Sequence, residues 1–299
     1  MKLLLLGKNG QVGWELQRSL AALGEVVALD RASTKLCGDL ADLDGLTRTV
    51  REVRPDVIVN AAAYTAVDKA ESEPDVAHAI NALAPEVLAR EAQRLGAWLV
   101  HYSTDYVFDG SGDRPWEEGD PTVPLNVYGQ TKLEGERLIA AQCERHLILR
   151  TSWVYGARGG NFIRTMLRLA QERERLTVID DQHGAPTSAE LLADVTALAL
   201  YRLSLNQAAG EKAGTYHVAA AGVTTWHGYA SHLIAMARNV RPGLPIKAIE
   251  VAAVGSNAFV TAARRPSNSR LNTAKLQSAF GLTLPPWQQG VDRVLAEML

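Results

Sequence analysis

Leu3-Leu-Leu-Leu6 runs directly into Gly7-Lys8-Asn9-Gly10-Gln11-Val12-Gly13. The leucine run is apolar throughout rather than alternating, which predicts a strand covered on both faces, as in the interior of a parallel sheet. Gln11 to Leu23 then reads as a helix, with Val12, Leu16, Leu20 and Leu23 on one side and Gly24 beyond its end. Working outward, the same alternation recurs. Val26–Leu29, Asp56–Asn60, Trp98–Tyr102 and His146–Arg150 read as strands, and Asp75–Leu95 and Tyr128–Gln142 as helices before the fourth and fifth strands. Strands alternating with helices imply an α/β protein whose sheet is parallel and doubly wound.

The turn carries its glycines in the spacing GxxGxxG. A glycine there permits φ > 0, and a missing Cβ lets backbone amides approach a pyrophosphate. The helix N-terminus adds partial positive charge at the same place. No Gly-Lys-Ser or Gly-Lys-Thr closes the turn, so it is not a Walker A loop. The pattern predicts a Rossmann-type dinucleotide-binding domain over residues 1–155, completed by segments between about 176 and 220. Residues 156–299 form mainly a smaller C-terminal substrate-binding lobe. There the rhythm loosens: Phe162–Arg173 and Ala189–Leu203 read as helices, Thr177–Ile179 and Tyr216–Ala219 as strands, and the last eighty residues as richer in proline and irregular segments. The second strand ends at Asp30-Arg31. An acid there suits the ribose hydroxyls of NAD, and a base suits the 2′-phosphate of NADP. Both NADH and NADPH stay open.

Composition narrows the function. In 299 residues, 31 Lys+Arg balance 33 Asp+Glu, which argues against a nucleic-acid or membrane-surface partner. The two cysteines, Cys37 and Cys143, form no CxxC pair, and no stretch approaches the ~20 apolar residues of a membrane span. A cytoplasmic location is expected. Asp39–Gly45 faintly resembles a calcium loop, but aligning Gly45 with the loop glycine puts Leu40 and Arg51 at ligand positions. The polar segment Gly112–Asp120 reads either as a mobile flap near a substrate or as a solvated loop.

Tyr128 and Lys132 lie four residues apart at the start of a helix, on one face and about 6 Å apart along its axis. A neighbouring ammonium favours phenolate and lowers a phenol pKa that is otherwise near 10. That makes the pair an acid/base device for a carbinol. Ser103-Thr104 ends the fourth strand, and carboxyl strand ends face the ligand crevice in such sheets.

With these features the chain resembles the extended short-chain dehydrogenases/reductases, and within them the dTDP-4-dehydrorhamnose reductase family. The resemblance is carried by Asn60–Glu71 (NAAAYTAVDKAE), Ser103–Gly110 (STDYVFDG), Tyr128–Glu136 (YGQTKLEGE), Arg150–Gly156 (RTSWVYG), Asp181–Thr187 (DQHGAPT) and Arg265–Ser269 (RPSNS). It implies reduction of a C4 keto group on a dTDP-sugar with NADPH or NADH, in cell-surface polysaccharide synthesis. Gly10, Gln11 and Val12 would meet the pyrophosphate, Asp30 the ribose, and Asp39 and Leu40 the adenine. Ala63, Tyr64 and Thr65 would line the cofactor cleft. Tyr128 would donate the proton and Lys132 would hold the nicotinamide ribose and tune the phenol. Thr104 would bond the C4 carbonyl, Asp105 and Trp153 would contact the sugar, and Arg265 the diphosphate. The resemblance also implies a homodimer bridged by Mg2+ through Glu15, Glu190 and Asp292, although nothing in their spacing announces a metal site.

Related chemistries share the scaffold. A 4,6-dehydratase of this type follows its Thr with Asp-Glu, whereas Tyr106 follows Thr104-Asp105 here. A 4-epimerase is not excluded by any residue. A noncatalytic dinucleotide-binding regulatory subunit is disfavoured by the intact Thr104, Tyr128 and Lys132.

Overall fold

Leu3, Leu4, Leu5 and Leu6 are completely buried, each contributing on the order of 1.5–3 kcal/mol of apolar transfer. They form the strand β1 (Lys2–Leu6), one strand in from the edge of a six-stranded sheet, in a computed structural model that describes residues 1–205 and 209–299. The first half of the chain contains α1 (Gln11–Ala21), β2 (Glu25–Leu29), α2 (Leu43–Val53), β3 (Val57–Asn60), α3 (Val67–Ala70), α4 (Pro74–His78), α5 (Ala84–Leu95), β4 (Trp98–Thr104), α6 (Val127–Gln142) and β5 (His146–Thr151). A π-helical turn, Ala79–Leu83, joins α4 to α5 without a break.

The chain continues through β6 (Val154–Tyr155), α7 (Phe162–Glu172), β7 (Arg175–Ile179), β8 (His183–Gly184), β9 (Thr187–Ser188), α8 (Ala189–Ser204) and β10 (Gly214–His217). It ends with β11 (Thr224–Thr225), α9 (Trp226–Val240), β12 (Glu250–Val254), α10 (Ala274–Phe280) and α11 (Trp287–Met298).

The main sheet has the order β10-β5-β4-β3-β1-β2 and is parallel throughout. Strand order reverses at β1, between β2 and β3, which is where such sheets open a crevice at their carboxyl ends. One face packs Leu3 and Leu5 against α1 and α8 through Leu16, Leu20, Leu192 and Val195. The other packs Leu4 and Leu6 against α2, α5 and α6 through Leu46, Val50, Leu88 and Ile139. Alternate residues of one strand thus feed two cores, and that is why β1 carries no polar side. Residues 206–208, within the stretch expected to return to the sheet, lie outside the described residues.

Asp39–Gly45 leads into α2: the Asp42 carboxylate accepts from Gly45 N at 2.8 Å as an N-cap. The last eighty residues, expected to be richer in proline and irregular segments, also contain α9, α10 and α11. Helices α9 and α11 bury Tyr229, Ala230, Leu233, Ala237, Trp287 and Val291 with Tyr155 and Ile163 in a separate core. Alanine-rich and aromatic faces carry a weaker apolar periodicity than leucine stripes, which is why the spacing did not announce them.

Candidate active site

A cleft of ≈ 830 Å³ opens at the carboxyl ends of β1 to β5. Its floor is the glycine turn. Gly7 sits at φ +89°, and a Cβ there would fall 2.8 Å from Ala62 N. A Cβ on Gly13 would fall 2.0 Å from the Gly7 carbonyl oxygen, so α1 can approach β1 this closely only without a side chain there. Gly10 is the N-cap of α1 and no side chain caps the helix. The first-turn N–H groups at Gln11 and Val12 therefore remain available to an anion. These features fit a dinucleotide pyrophosphate. Asp30, Arg31, Asp39 and Leu40 line one end of the same cleft, and Ala63, Tyr64 and Thr65 one side. Asp30 accepts from Ser33 Oγ at 2.9 Å, from Ala32 N and from the Asn9 amide, and its pKa is lowered chiefly by the Ser33 hydroxyl. Arg31 is exposed at the rim.

The loop after β3 is held from below by Asn81 in the π-helical turn. Its amide accepts from Tyr64 N at 2.9 Å and donates to Tyr64 O at 3.1 Å and to Thr131 Oγ1 at 3.2 Å. The reading of the sequence missed this residue. A fully buried asparagine inside an otherwise alanine- and leucine-rich helix was the available signal.

Thr104, Tyr128 and Lys132 line the same cleft. The Thr104 hydroxyl accepts from Tyr106 N at 3.1 Å and donates to Asp105 Oδ1 at 3.2 Å. Asn126 caps α6, accepting from Gly129 N at 2.8 Å, and so sets where Tyr128 emerges. Its ring meets Tyr106 edge to face at 5.7 Å. Burial raises the Tyr128 pKa above that of a free phenol, with the Thr104 hydroxyl opposing. Lys132 turns to other partners. The Lys132 amine lies 2.9 Å from His101 Nε2 and donates to the Tyr102 carbonyl at 2.6 Å, and burial pulls its pKa down to about 8.

Around these groups the buried Ser103 Oγ, Asp105 Oδ2, Thr151 Oγ1 and Ser152 Oγ have no partner among the described residues. All four residues line the cleft, as expected of a polar ligand site. Burial pushes the Asp105 carboxyl up to about 7. A carboxyl whose pKa is higher folded than unfolded gives stability that is full below its ordinary pKa of 3.8 and lost as pH rises through about 7. Asp105→Asn is therefore expected to match the native protein near pH 4 and to exceed it by up to a few kcal/mol at pH 8, at ~1.4 kcal/mol per pH unit. Urea unfolding at pH 4, 6 and 8 checks this, and a difference independent of pH would contradict it.

Trp153 takes a left-handed backbone conformation, φ +49°, rare for a bulky residue. Stacking on Trp226 at 3.9 Å holds it there, and Gly184 leaves room for its ring. Both tryptophans line the cleft. Trp226, not foreseen from sequence, is fixed by its Nε1–H to Gln182 Oε1 at 3.1 Å. Arg265 also lines the cleft, but its guanidinium is paired with Asp68 and donates to the Tyr106 hydroxyl at 3.3 Å.

Among the described residues no three acidic, His or Cys side chains of one chain form a metal-ligand group. Glu15 pairs with Arg18, Glu190 with Arg293 at 2.9 Å, and Asp292 with His232 at 2.7 Å. The Gly112–Asp120 segment is mostly exposed and is held at several points. Trp116 stacks on Phe108 at 4.6 Å and bridges Leu271, Glu118 accepts from His217 N at 2.9 Å, and Arg114 pairs with Asp120. Among the described residues no helix is long and apolar enough to cross a membrane.

The family model for the RmlD substrate binding domain matches residues 1–299. The chain is 57% identical over 298 residues to dTDP-4-dehydrorhamnose reductase of Escherichia coli strain K12, covering 100% of this chain and 98% of that protein. A crystal structure of a dTDP-4-dehydrorhamnose reductase from Clostridium acetobutylicum superposes with TM-score 0.89 at 34% identity, covering 100% of this chain and 99% of that one. The Bacillus anthracis enzyme, solved in complex with NADP, does so with TM-score 0.86 at 34% identity, over 99% of both chains. A glycine cradle, a Thr-Tyr-Lys set in one cleft and end-to-end likeness all agree: this chain belongs to the dTDP-4-dehydrorhamnose reductase family of the extended short-chain dehydrogenases/reductases.

Proposed function

We propose that the protein is an NAD(P)H-dependent oxidoreductase that reduces the C4 keto group of dTDP-4-dehydro-L-rhamnose to give dTDP-L-rhamnose. The observation that carries this reading is the convergence of Thr104, Tyr128 and Lys132 on the cleft whose floor is the Gly7–Gly13 turn. When bound, the reduced nicotinamide supplies the hydride. Gln11 and Val12 N–H groups hold the pyrophosphate, and Ala63, Tyr64 and Thr65 wall the dinucleotide in. The Thr104 hydroxyl orients the carbonyl oxygen and stabilises charge growing on it. Tyr128 gives that oxygen its proton. Its raised pKa keeps the phenol protonated until an alkoxide, a far stronger base than phenolate, develops beside it. Asp105 and Trp153 contact the sugar, and Arg265 turns from Asp68 to the diphosphate.

Reduction is favoured over 4,6-dehydration because Tyr106, not a carboxylate, follows Asp105, and its hydroxyl is engaged by Arg265. The test is to follow NADPH and NADH absorbance with purified protein and 4-keto-6-deoxy dTDP-sugars. Stoichiometric oxidation supports the reductase. Sugar conversion without net oxidation indicates an epimerase, and dinucleotide binding without chemistry a regulatory subunit.

Arg31 faces solvent at the ribose end of the cleft and supplies a cation for a 2′-phosphate. Arg31→Ala is expected to weaken NADPH about tenfold or more, the loss of a charge-assisted bond of roughly 1.5–3 kcal/mol, while NADH changes little. Fluorescence titration with both cofactors checks this, and equal losses would remove Arg31 from the 2′-phosphate.

A further inference from the structure

We propose that Asn60 and His101 hold Lys132 as an uncharged amine in the cofactor-free protein at mildly alkaline pH, which makes His101 a positioning residue for Lys132. The argument is one of hydrogen-bond direction. Asn60 ends β3 and His101 is its register partner on β4, and both side chains are buried. The Ala62 backbone N–H, which can only donate, points to Asn60 Oδ1 at 3.2 Å. That fixes the amide, so Nδ2 faces His101 Nδ1 at 3.1 Å and donates to it. A neutral imidazole that accepts at Nδ1 carries its hydrogen on Nε2. Nε2 lies 2.9 Å from Lys132 Nζ. Its N–H needs a lone pair there, and an ammonium has none. The amine then uses one of its own hydrogens for the Tyr102 carbonyl at 2.6 Å.

The surroundings agree with this assignment. Burial lowers the His101 pKa well below its usual value, so the ring is neutral. Glu136, one turn further along α6, pulls Lys132 the other way but is locked to Arg150 of β5 at 2.6 Å. Tyr128 lies one turn back, and the Tyr102 phenol turns away to Thr196 at 2.6 Å. Charging Lys132 would require the hydrogen on His101 to sit on Nδ1 and the Asn60 amide to turn over. Nδ2 would then confront the Ala62 N–H, donor against donor. Ala62 backs the Gly7 turn, so the charge on Lys132 is coupled to the wall of the dinucleotide cleft.

The inference concerns how Lys132 is held in the cleft and rests on the reading of that cleft as the reductase site. Its test contains neither cofactor nor substrate, so failure of one is distinguishable from failure of the other. The full-length protein, labelled with 15N-histidine, is examined by NMR at pH 8.5, with His101 assigned by the signal missing in His101→Gln. The expected state is the Nε2–H tautomer. Asn60→Asp can only accept from the ring and is expected to invert it to Nδ1–H, a change that loss of packing alone would not produce. An Nδ1–H ring in the unsubstituted protein, or one tautomer in both proteins, would overturn the proposal. If Asn60→Asp does not fold, the unsubstituted protein decides alone.

Discussion

Tyr128→Phe is expected to lower kcat by roughly 10²–10⁴-fold, the span for a lost general acid. The expectation is specific because the substitution removes one hydroxyl and leaves the ring. The edge-to-face contact with Tyr106 and the Asn126 cap of α6 persist, so the backbone that lines the cleft stays where it is. Dinucleotide affinity, carried by the glycine turn, is expected to stay within about twofold, a change below ~0.4 kcal/mol. Single-turnover rates with reduced cofactor and a dissociation constant from fluorescence titration together check the split. Near-normal turnover would move the proton source elsewhere. The next group in the cleft is Asp105, whose carboxyl, held up to about 7, still carries a proton near neutrality.

The second large effect concerns stability. Arg150 and Glu136 form an ion pair with the side chains only 6% and 5% exposed. Two guanidinium nitrogens donate to the carboxylate, Nε at 2.9 Å and Nη2 at 2.6 Å, and the cation sits 5.1 Å from the Phe108 ring centroid. Glu136→Ala strands the guanidinium without its partner and is expected to cost roughly 3–5 kcal/mol, lowering Tm by on the order of 5–15 °C. The doubly substituted Glu136→Leu, Arg150→Met protein is expected to recover most of that loss, because the main penalty is an unpaired buried charge rather than the bond itself. Thermal unfolding of the single and double variants measures both terms. A drop below about 1 kcal/mol in Glu136→Ala would mean that water reaches Arg150.

The main sheet was legible because its strands are short apolar runs. Leu3–Leu6, Val26–Leu29, Asp56–Asn60 and His146–Arg150 coincide with β1, β2, β3 and β5 to within one residue at either end. Trp98–Tyr102 stops two residues short of the end of β4. The alternation of these runs with helices was sufficient for a parallel doubly wound sheet. The glycine turn was legible for a different reason: Gly13 is demanded by its contact with the Gly7 carbonyl six residues before it in the same βα unit, and Gly7 by its own φ of +89°. Helix α2 was missed although Asp42 caps it and Leu46, Val50 and Val53 share its buried face.

The amino-acid sequence by itself determined the parallel sheet, the phosphate-binding turn and the presence of a Tyr128–Lys132 pair on one helix, since each depends on residues close together in the chain. Tertiary structure alone decided what the pair touches. His101 reaches Lys132 across 31 positions, Asn81 reaches Tyr64 across 17, and Trp226 at the start of α9 stacks on Trp153 in the loop after β5. It also decided that Glu15, Glu190 and Asp292 pair with Arg18, Arg293 and His232 and that the Gly112–Asp120 loop is held at Glu118. The physical reason is that strand and helix periodicity is written in local spacing, whereas protonation and hydrogen-bond direction depend on burial and on partners that only folding brings within 3 Å.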